Sequence, residues 1–537
     1  MAPCTLACTG IGFSFVHGSF YYSNMQPISP ESTVSTVSME VKGSPLVLLH
    51  QHSLELTPDG KYVRWLRDHP KHPRNWSALR KSYDLTLVCL LDLFITASST
   101  AGSAAAAQAE IEYNMNKTLA TFIFVTIFLL GQVAGTILFP PWSEAFGRKN
   151  MYIFSSGLSA ICCMIIGLVR PMSVIIVMRI ISGLLSAIPY TIIGGSIEDM
   201  FNTRGRIWGM YCWTIASNIG LVLGPIISSY VVAELGWRWN FYIFAIIIAA
   251  VTGGLCVIRE SRPALLLAHE VRKVSELTTM DSIPPPLNHD HIPDLHTFVR
   301  ESLLRPAQLF FREPIIFLVA MMIAVSMSLI YIFTQALQPI FESMGFKETD
   351  ASLMFIPIAI GTVLSAFTRI LDEHILRRFR EQGQPIKPEH KLAGLAIGGP
   401  VLALSLWWFA WTVPSAVHTS WVVPAISLVL VGYALTELDT TLYGYISDSY
   451  LSYSASATAA VAFVRALLSG TFPLFTDQMF DGLGNNVAMT VLAAVATVFC
   501  VVPPLFIIYG ERIRQASKFA RYSWDIQQEL GKDEDDM

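Results

Sequence analysis

Charge is scarce in this sequence. Only 14% of its 537 residues are Asp, Glu, Lys or Arg and 53% are apolar, against about 25% charged and about 45–50% apolar in soluble domains. Mean hydropathy is +0.50. This balance excludes a soluble globular protein. Thirty-six Lys plus Arg against forty Asp plus Glu give a formal charge of −4, so no basic surplus is left for a phosphate backbone, and nucleic acid is excluded as a partner. The eight cysteines have neither metal-ligand nor extracellular-framework spacing, so no disulfide and no metal site is expected. No Gly-x-x-x-x-Gly-Lys loop is present, which argues against ATP as the direct energy source, and no His-Glu-x-x-His or nucleophile–base constellation points to an enzyme. The first 25 residues lack a basic segment ahead of a long apolar core, so insertion into a membrane is expected to rest on an internal span.

Long apolar runs are abundant. A bilayer core about 30 Å thick needs roughly 20 apolar residues per helix. Runs of that length lie near 83–103, 119–140, 151–169, 173–194, 207–232, 239–258, 314–336, 351–370, 392–412, 420–443, 455–476 and 486–508. They are continuous rather than alternating, which predicts an all-α membrane protein with twelve transmembrane helices and not a β-barrel. Residues 1–80 read as an irregular tail, 81–258 as a first six-helix bundle and 259–313 as a connector. Residues 314–508 read as a second bundle and 509–537 as a tail ending in acidic residues. Two pseudo-symmetric bundles about a central loop suggest a transporter whose halves rock about a midplane site. With the tails and connector in the cytoplasm, the outer loops hold only Lys117, Arg170, Arg238 and Lys347, and the other loop cations fall inside. Asn116-Lys117-Thr118 is then an outward-facing glycosylation sequon.

The loop after the second run reads Pro140-Pro141-Trp142-Ser143-Glu144-Ala145-Phe146-Gly147-Arg148-Lys149. Gly147 permits a tight turn and two cations follow it. This resembles the signature loop of the major facilitator superfamily, and Pro-x-Ser-Glu before Gly-Arg is similar to its fungal drug:proton antiporter branch. Further resemblances follow in family order. They include His72-Pro73-Arg74-Asn75-Trp76-Ser77, Arg179 with Gly183, and Gly220-x-x-x-Gly224-Pro225. Tyr445-x-x-Asp448-x-Tyr450 and the Arg465 segment continue the series. The resemblance covers roughly residues 72–519. It implies an exporter of drugs, toxins or secondary metabolites, driven by a proton gradient without a bound cofactor. The Gly220, Gly224, Pro225 motif is typical of antiporters, although Ser228-Ser229 and Leu221 depart from it.

Ionisable groups within hydrocarbon are costly and mark function. At 1.5 Å per residue, Asp92 lies about 14 Å into the first span and Arg465 about 15 Å into the eleventh, both near mid-bilayer. Arg179 and Glu437 are shallower, which also suits a role in gating, and all four are assigned to the proton and substrate pathway. Asp92 is the first choice of proton carrier, with Arg179 as its expected partner; a structural hydrogen bond is the competing reading. Glu437 and Asp439 point about 200° apart, so one alone can be central. Glu437 is preferred, with Asp439 read as a residue reaching the cytoplasmic interface. Glu144, Gly147, Arg148 and Lys149 read as an inner gate, with a positive membrane anchor as the plainer alternative. Gly220, Gly224 and Pro225 read as a tight helix interface able to seal the inward path. Tyr190, Tyr211, Trp213, Phe333, Trp407, Trp408 and Tyr443 offer aromatic faces, with none singled out. The expected partners are a small-molecule substrate, protons and lipid. A monomer in the plasma membrane is expected, with both termini cytoplasmic. Competing functions are proton-coupled uptake and a non-transporting receptor or sensor on the same fold.

Overall fold

The computed structural model describes residues 49–50, 52–57, 60–66, 68–278, 284–286, 304–382, 387–414, 419–450 and 453–521; the side chains of residues 141, 144, 145, 203, 204 and 380 lie outside that description. Among the described residues, eleven helices are long and apolar enough to cross a membrane. The twelfth span is the pair Ser454–Thr471 and Pro473–Leu483, bent by 47° at Phe472. Proline after the bend lacks an N–H, so the helical ladder breaks there.

The first half contains Ala78–Tyr113, Lys117–Pro140, Arg148–Leu168, Met172–Met200, Gly205–Leu235 and Trp237–Leu255. The second contains Pro314–Glu342, Glu348–Phe379, Ala393–Thr412, Val422–Tyr450, the bent pair, and Asn485–Ala516. Several helices outrun their apolar stretches because their polar turns pack inside the protein. The tenth continues to Tyr450, seven residues beyond the apolar run, and there Tyr445 stacks on Phe506 while Tyr450 donates to Glu313 at 3.0 Å.

Two spans are interrupted where a carbonyl is put to use. The first breaks at Ala101, whose carbonyl accepts from Ser228 Oγ at 2.9 Å and Asn240 Nδ2 at 3.2 Å. The second carries a π-helical segment, Phe122–Thr126, whose Phe124 carbonyl accepts from Arg179. Both breaks free a backbone group that a neighbouring span satisfies, as apolar surroundings require.

The tail is more ordered than its composition predicts. β1 (Leu54–Leu56) and β2 (Val63–Trp65) form an antiparallel hairpin, and Val63 N–H donates to Pro285 of the connector at 3.0 Å. Leu49, Leu54 and Val63 bury against Leu267, Val271 and Val274 of the connector helix Pro263–Thr278. Trp65 Nε1 donates to Pro263 O at 3.2 Å, and Lys71 pairs with Glu270 at 2.8 Å. The expectation of an irregular 1–80 tail is therefore corrected for its described part: the hairpin's apolar face finds its partner some 200 residues away.

Tail and connector lie at one end of the bundle, called here the connector end. At the opposite end the halves meet through Lys117 with Asp477 at 2.9 Å, Gln478 donating to Thr118 at 3.0 Å, and Tyr230 donating to Asp350 at 3.3 Å. Midway, Asn218 donates to Thr436 at 3.3 Å and Ser99 bonds Tyr331 at 2.9 Å. At the connector end Arg206 reaches Asp448 at 3.3 Å. Charge placement repeats between the halves: Arg148 pairs with Asp199 at the end of the fourth span, and Lys391 with Asp448 at the end of the tenth.

Candidate functional site

Where the halves face each other at mid-depth, six spans contribute polar or aromatic side chains to one buried cluster. Asp92 of the first span is 0% exposed and accepts from Trp213 Nε1 of the fifth at 2.9 Å. Its Oδ1 lies beside Ser217 without a hydrogen bond of ordinary geometry. Tyr190 of the fourth span and Tyr443 of the tenth join hydroxyl to hydroxyl. The rings of Tyr190, Trp213 and Tyr443 form a triangle with centroids 5.5–6.4 Å apart. The Arg465 guanidinium of the eleventh span sits 3.9 Å from the Tyr190 ring centroid. Its charge bears on both Asp92 and Asp439.

Asp439 is the residue that sequence reasoning misplaced. It is 2% exposed, faces Arg465 and Asn218, and neither carboxylate oxygen makes a hydrogen bond of ordinary geometry. The run 420–443 put it close to a helix end, but the helix Val422–Tyr450 continues eleven residues past it. Glu437 instead points into the second half, where it pairs with Arg369 of the eighth span; Arg369 also holds Asp372 at 2.8 Å. The 200° separation thus holds, with Asp439 rather than Glu437 at the interface of the halves. Gly394 of the ninth span makes the ion pair possible, since a Cβ there would collide with Arg369, Glu437 and Thr441. Arg369 and Asp372 went unremarked in the sequence, lying at the polar edge of the eighth apolar run.

Arg179 is fully buried but does not pair with Asp92. One amine donates to the Phe124 carbonyl, and its guanidinium lies 4.9 Å from the Phe128 ring and 5.4 Å from Phe241. The π-helical segment that exposes this carbonyl has no sequence signal, so the expected Asp92–Arg179 pair is replaced by Asp92–Trp213 with Arg465 nearby.

At the connector end Gly147 adopts φ +89°, the turn expected of it. The acid that meets this turn is Glu260, after the sixth span, which accepts from the N–H groups of Arg148 at 2.9 Å and Lys149 at 3.1 Å. A carboxylate at a helix N-terminus is favoured by unsatisfied N–H groups and the helix dipole. The side chain of Glu144 lies outside the described residues. Arg148 Nε pairs with Asp199 at 3.1 Å and Lys149 Nζ caps Cys256 O at 2.9 Å. In the matching place of the second half, Arg514 grips Glu389 with two bonds of 2.8 and 2.7 Å, and Tyr445 donates to the same carboxylate at 3.4 Å.

Gly220 and Gly224 face the first span, where a Cβ would strike the carbonyls of Leu93 and Ala97. The close interface expected of Gly220, Gly224 and Pro225 is therefore within the first half. It fixes the first span, and Asp92 with it, against the fifth and Trp213. Asn116 is exposed at the head of the second span, beside the Lys117–Asp477 pair. Among the described residues no cluster of His, Cys, Asp and Glu could hold a metal ion.

The family model described as the Major Facilitator Superfamily matches residues 88–473. Efflux pump radE of Floropilus chiversii is 28% identical over 459 residues, 84% of each chain. Multidrug transporter TPO1_2 of Candida glabrata is 29% identical over 484 residues, 89% of this chain and 81% of its own. Among solved structures, the proton:xylose symporter XylE superposes with TM-score 0.59 at 16% identity, covering 80% of this chain and 97% of XylE. The human organic anion transporter MFSD10 gives 0.55 at 13% identity, covering 79% and 99%. At such identities the solved structures speak for the fold alone.

Proposed function

The chain belongs to the major facilitator superfamily and is a membrane transporter rather than an enzyme, and from that premise we propose that it exports small amphipathic compounds in exchange for protons. The observation that carries this reading is the sealed cluster between the halves, where Asp92, Asp439 and Arg465 are 0%, 2% and 6% exposed yet keep polar atoms without hydrogen bonds. Buried ionisable groups in this condition are costly unless something else uses them. A substrate and a proton, taken in alternation, would use them. The name of radE, an efflux pump, supports outward transport, and that of TPO1_2, a multidrug transporter, supports drugs as the cargo.

The cycle follows from the cross-half contacts. Opening toward one side requires Lys117–Asp477, Gln478–Thr118 and Tyr230–Asp350 to part, and opening toward the other requires release of Arg206–Asp448. Alternating loss of the two sets gives alternating access to the cluster. Asp92 and Asp439 are the proton carriers in this account, because each is a carboxylate at the interface with an oxygen available to a proton. Tail and connector lie on the cytoplasmic side, where the loop cations concentrate, and the plasma membrane is the proposed location.

Cells expressing the chain should accumulate less of a labelled lipophilic compound than matched cells without it, and collapse of the proton gradient should erase the difference. Raised accumulation on expression would reverse the direction and make the protein an uptake carrier.

A further inference from the structure

The sequence His72-Pro73-Arg74-Asn75-Trp76-Ser77 takes no part in the proposed cycle, yet it forms one wall of a cavity at the connector end. Arg74, Glu198, Phe201, Asn202 and Arg206 line a space of about 240 Å³. Glu198 and Phe201 come from the end of the fourth span, and Asn202 and Arg206 from the turn into the fifth. The backbone is held on both sides of Arg74. Its N–H donates to His72 Nδ1 at 3.2 Å and its carbonyl accepts from Lys81 Nζ at 2.7 Å. Lys81 also sits 5.7 Å from the Phe201 ring centroid, which ties this segment to the fourth span. The Arg74 guanidinium itself has no hydrogen-bond or ion-pair partner among the described residues. Nor does the Asn202 side chain cap the helix it precedes, so its amide is available to a ligand.

Arg206 links this cavity to the opposite half. Its Nη1 donates to Glu198 at 3.0 Å and its Nη2 to Asp448 of the tenth span at 3.3 Å. Arginine holds a phosphate by two parallel N–H bonds, and both of its two-bond faces, Nη1 with Nη2 and Nε with Nη2, include Nη2. That amine is the one on Asp448. Neither carboxylate is stranded when Arg206 leaves: Asp448 keeps Lys391, and the Glu198 side chain is 57% exposed and turns into water. Two separate guanidiniums and an amide also ask for more acceptors than the two oxygens of a carboxylate. A phosphate group supplies three, with up to two negative charges.

We propose that this cavity binds a phosphate group between Arg74 and Arg206, and that binding takes Arg206 from Asp448 and so loosens the connector end of the interface between the halves. The phosphate belongs to a soluble compound or to a lipid head. This rests on the reading of Arg206–Asp448 as a contact released on opening toward the connector end, and it adds a ligand that regulates the release. The coupling is reciprocal: if phosphate weakens the Arg206–Asp448 contact, loss of that contact strengthens phosphate binding by the same factor. Glu198 competes for Arg206 from the rim, so its removal acts in the same direction.

The test is calorimetric titration of the full chain, in phosphatidylcholine nanodiscs at constant ionic strength, with inorganic phosphate. The parent is expected to bind it, and Arg74→Gln, a change at an exposed side chain, should weaken binding about tenfold. Glu198→Gln should tighten it. Asp448→Asn combined with Lys391→Gln removes one charge of each sign while freeing Arg206, and should tighten phosphate about fivefold. No binding by the parent, unchanged affinity in Arg74→Gln, or parent affinity in the Asp448→Asn, Lys391→Gln pair overturns the proposal. Should that pair fail to fold, hydrogen exchange of the parent over residues 445–450 takes its place. Phosphate should quicken exchange there, and unchanged exchange overturns the coupling. Discs with phosphatidic acid, compared with equally charged discs of phosphatidylglycerol, separate the sources. Phosphate affinity lowered by phosphatidic acid alone supports the site with a lipid head as its ligand, and equal affinity in both supports it with a soluble compound. None of these readouts uses transport, so failure of the export reading in cells leaves the result separately legible.

Discussion

Arg369 holds two carboxylates, Glu437 and Asp372, where all three side chains are nearly or fully buried. Removing the cation leaves two uncompensated acids, and breaking a buried pair of this kind costs about 3–5 kcal/mol. Arg369→Met should therefore lower the thermal unfolding midpoint of the detergent-purified protein sharply. Arg369→Met combined with Glu437→Met should lose less than the two single changes added together; strict additivity would show that the pair is not coupled. What the sequence revealed at this scale depended on depth. Asp92 and Arg465 were recognisable because each stands alone deep inside a continuous apolar run. Asp439 was not, because the polar turn that follows it ends the apolar run, while in the fold Tyr445 and Tyr450 bury that turn against Phe506 and Glu313. Arg179 misled in the opposite sense. Its depth was evident, but its partner is a backbone carbonyl freed by a π-helical segment, which side-chain spacing does not announce.

At the level of elements, the hairpin, the connector helix and the segment leading into the first span form one unit at the connector end, and two histidines make it sensitive to acid. His69 Nδ1 accepts from Lys71 N–H at 3.0 Å and His72 Nδ1 from Arg74 N–H at 3.2 Å, so both rings are used as neutral acceptors. Burial, helped by the charge of Arg74, pushes His72 from 6.5 down to about 4, and burial also lowers His69 despite the opposing pull of Glu270. A base whose pKa is lowered on docking binds its proton more readily when undocked. The docked form is thus fully favoured above about pH 6.5, and that advantage is lost as pH falls toward 4. Protection against hydrogen exchange over residues 60–66 and 68–75 should fall between pH 7 and pH 5 once the slowing of the intrinsic rate with acid is corrected for, and His69→Asn with His72→Asn should flatten the difference. Equal protection at both pH values, after correction, would contradict the docking account. The sequence gives little warning of this unit. Two three-residue strands are too short to show a period, and the face they bury is completed by Leu267, Val271 and Val274 of the connector.

For the whole molecule, the twelve spans and their division six and six could be read directly, since a helix crossing hydrocarbon must be apolar for its length and no other structure leaves that signal. The assembly of the halves could not. Which side chains meet across the interface depends on helix rotation, which apolar composition leaves undetermined, and the aromatic triangle of Tyr190, Trp213 and Tyr443 emerges only when the two halves are put together. That interface is where proton and compound are proposed to exchange. The direct test uses everted membrane vesicles holding the full chain, with the membrane potential clamped and the interior made acid, and follows uptake of a permanently charged fluorescent monocation. Uptake by the parent should vanish when the pH gradient is dissipated and should be lost in both Asp92→Asn and Asp439→Asn. Gradient-driven uptake that survives in both variants would contradict it, by placing the proton site outside the interface of the two halves.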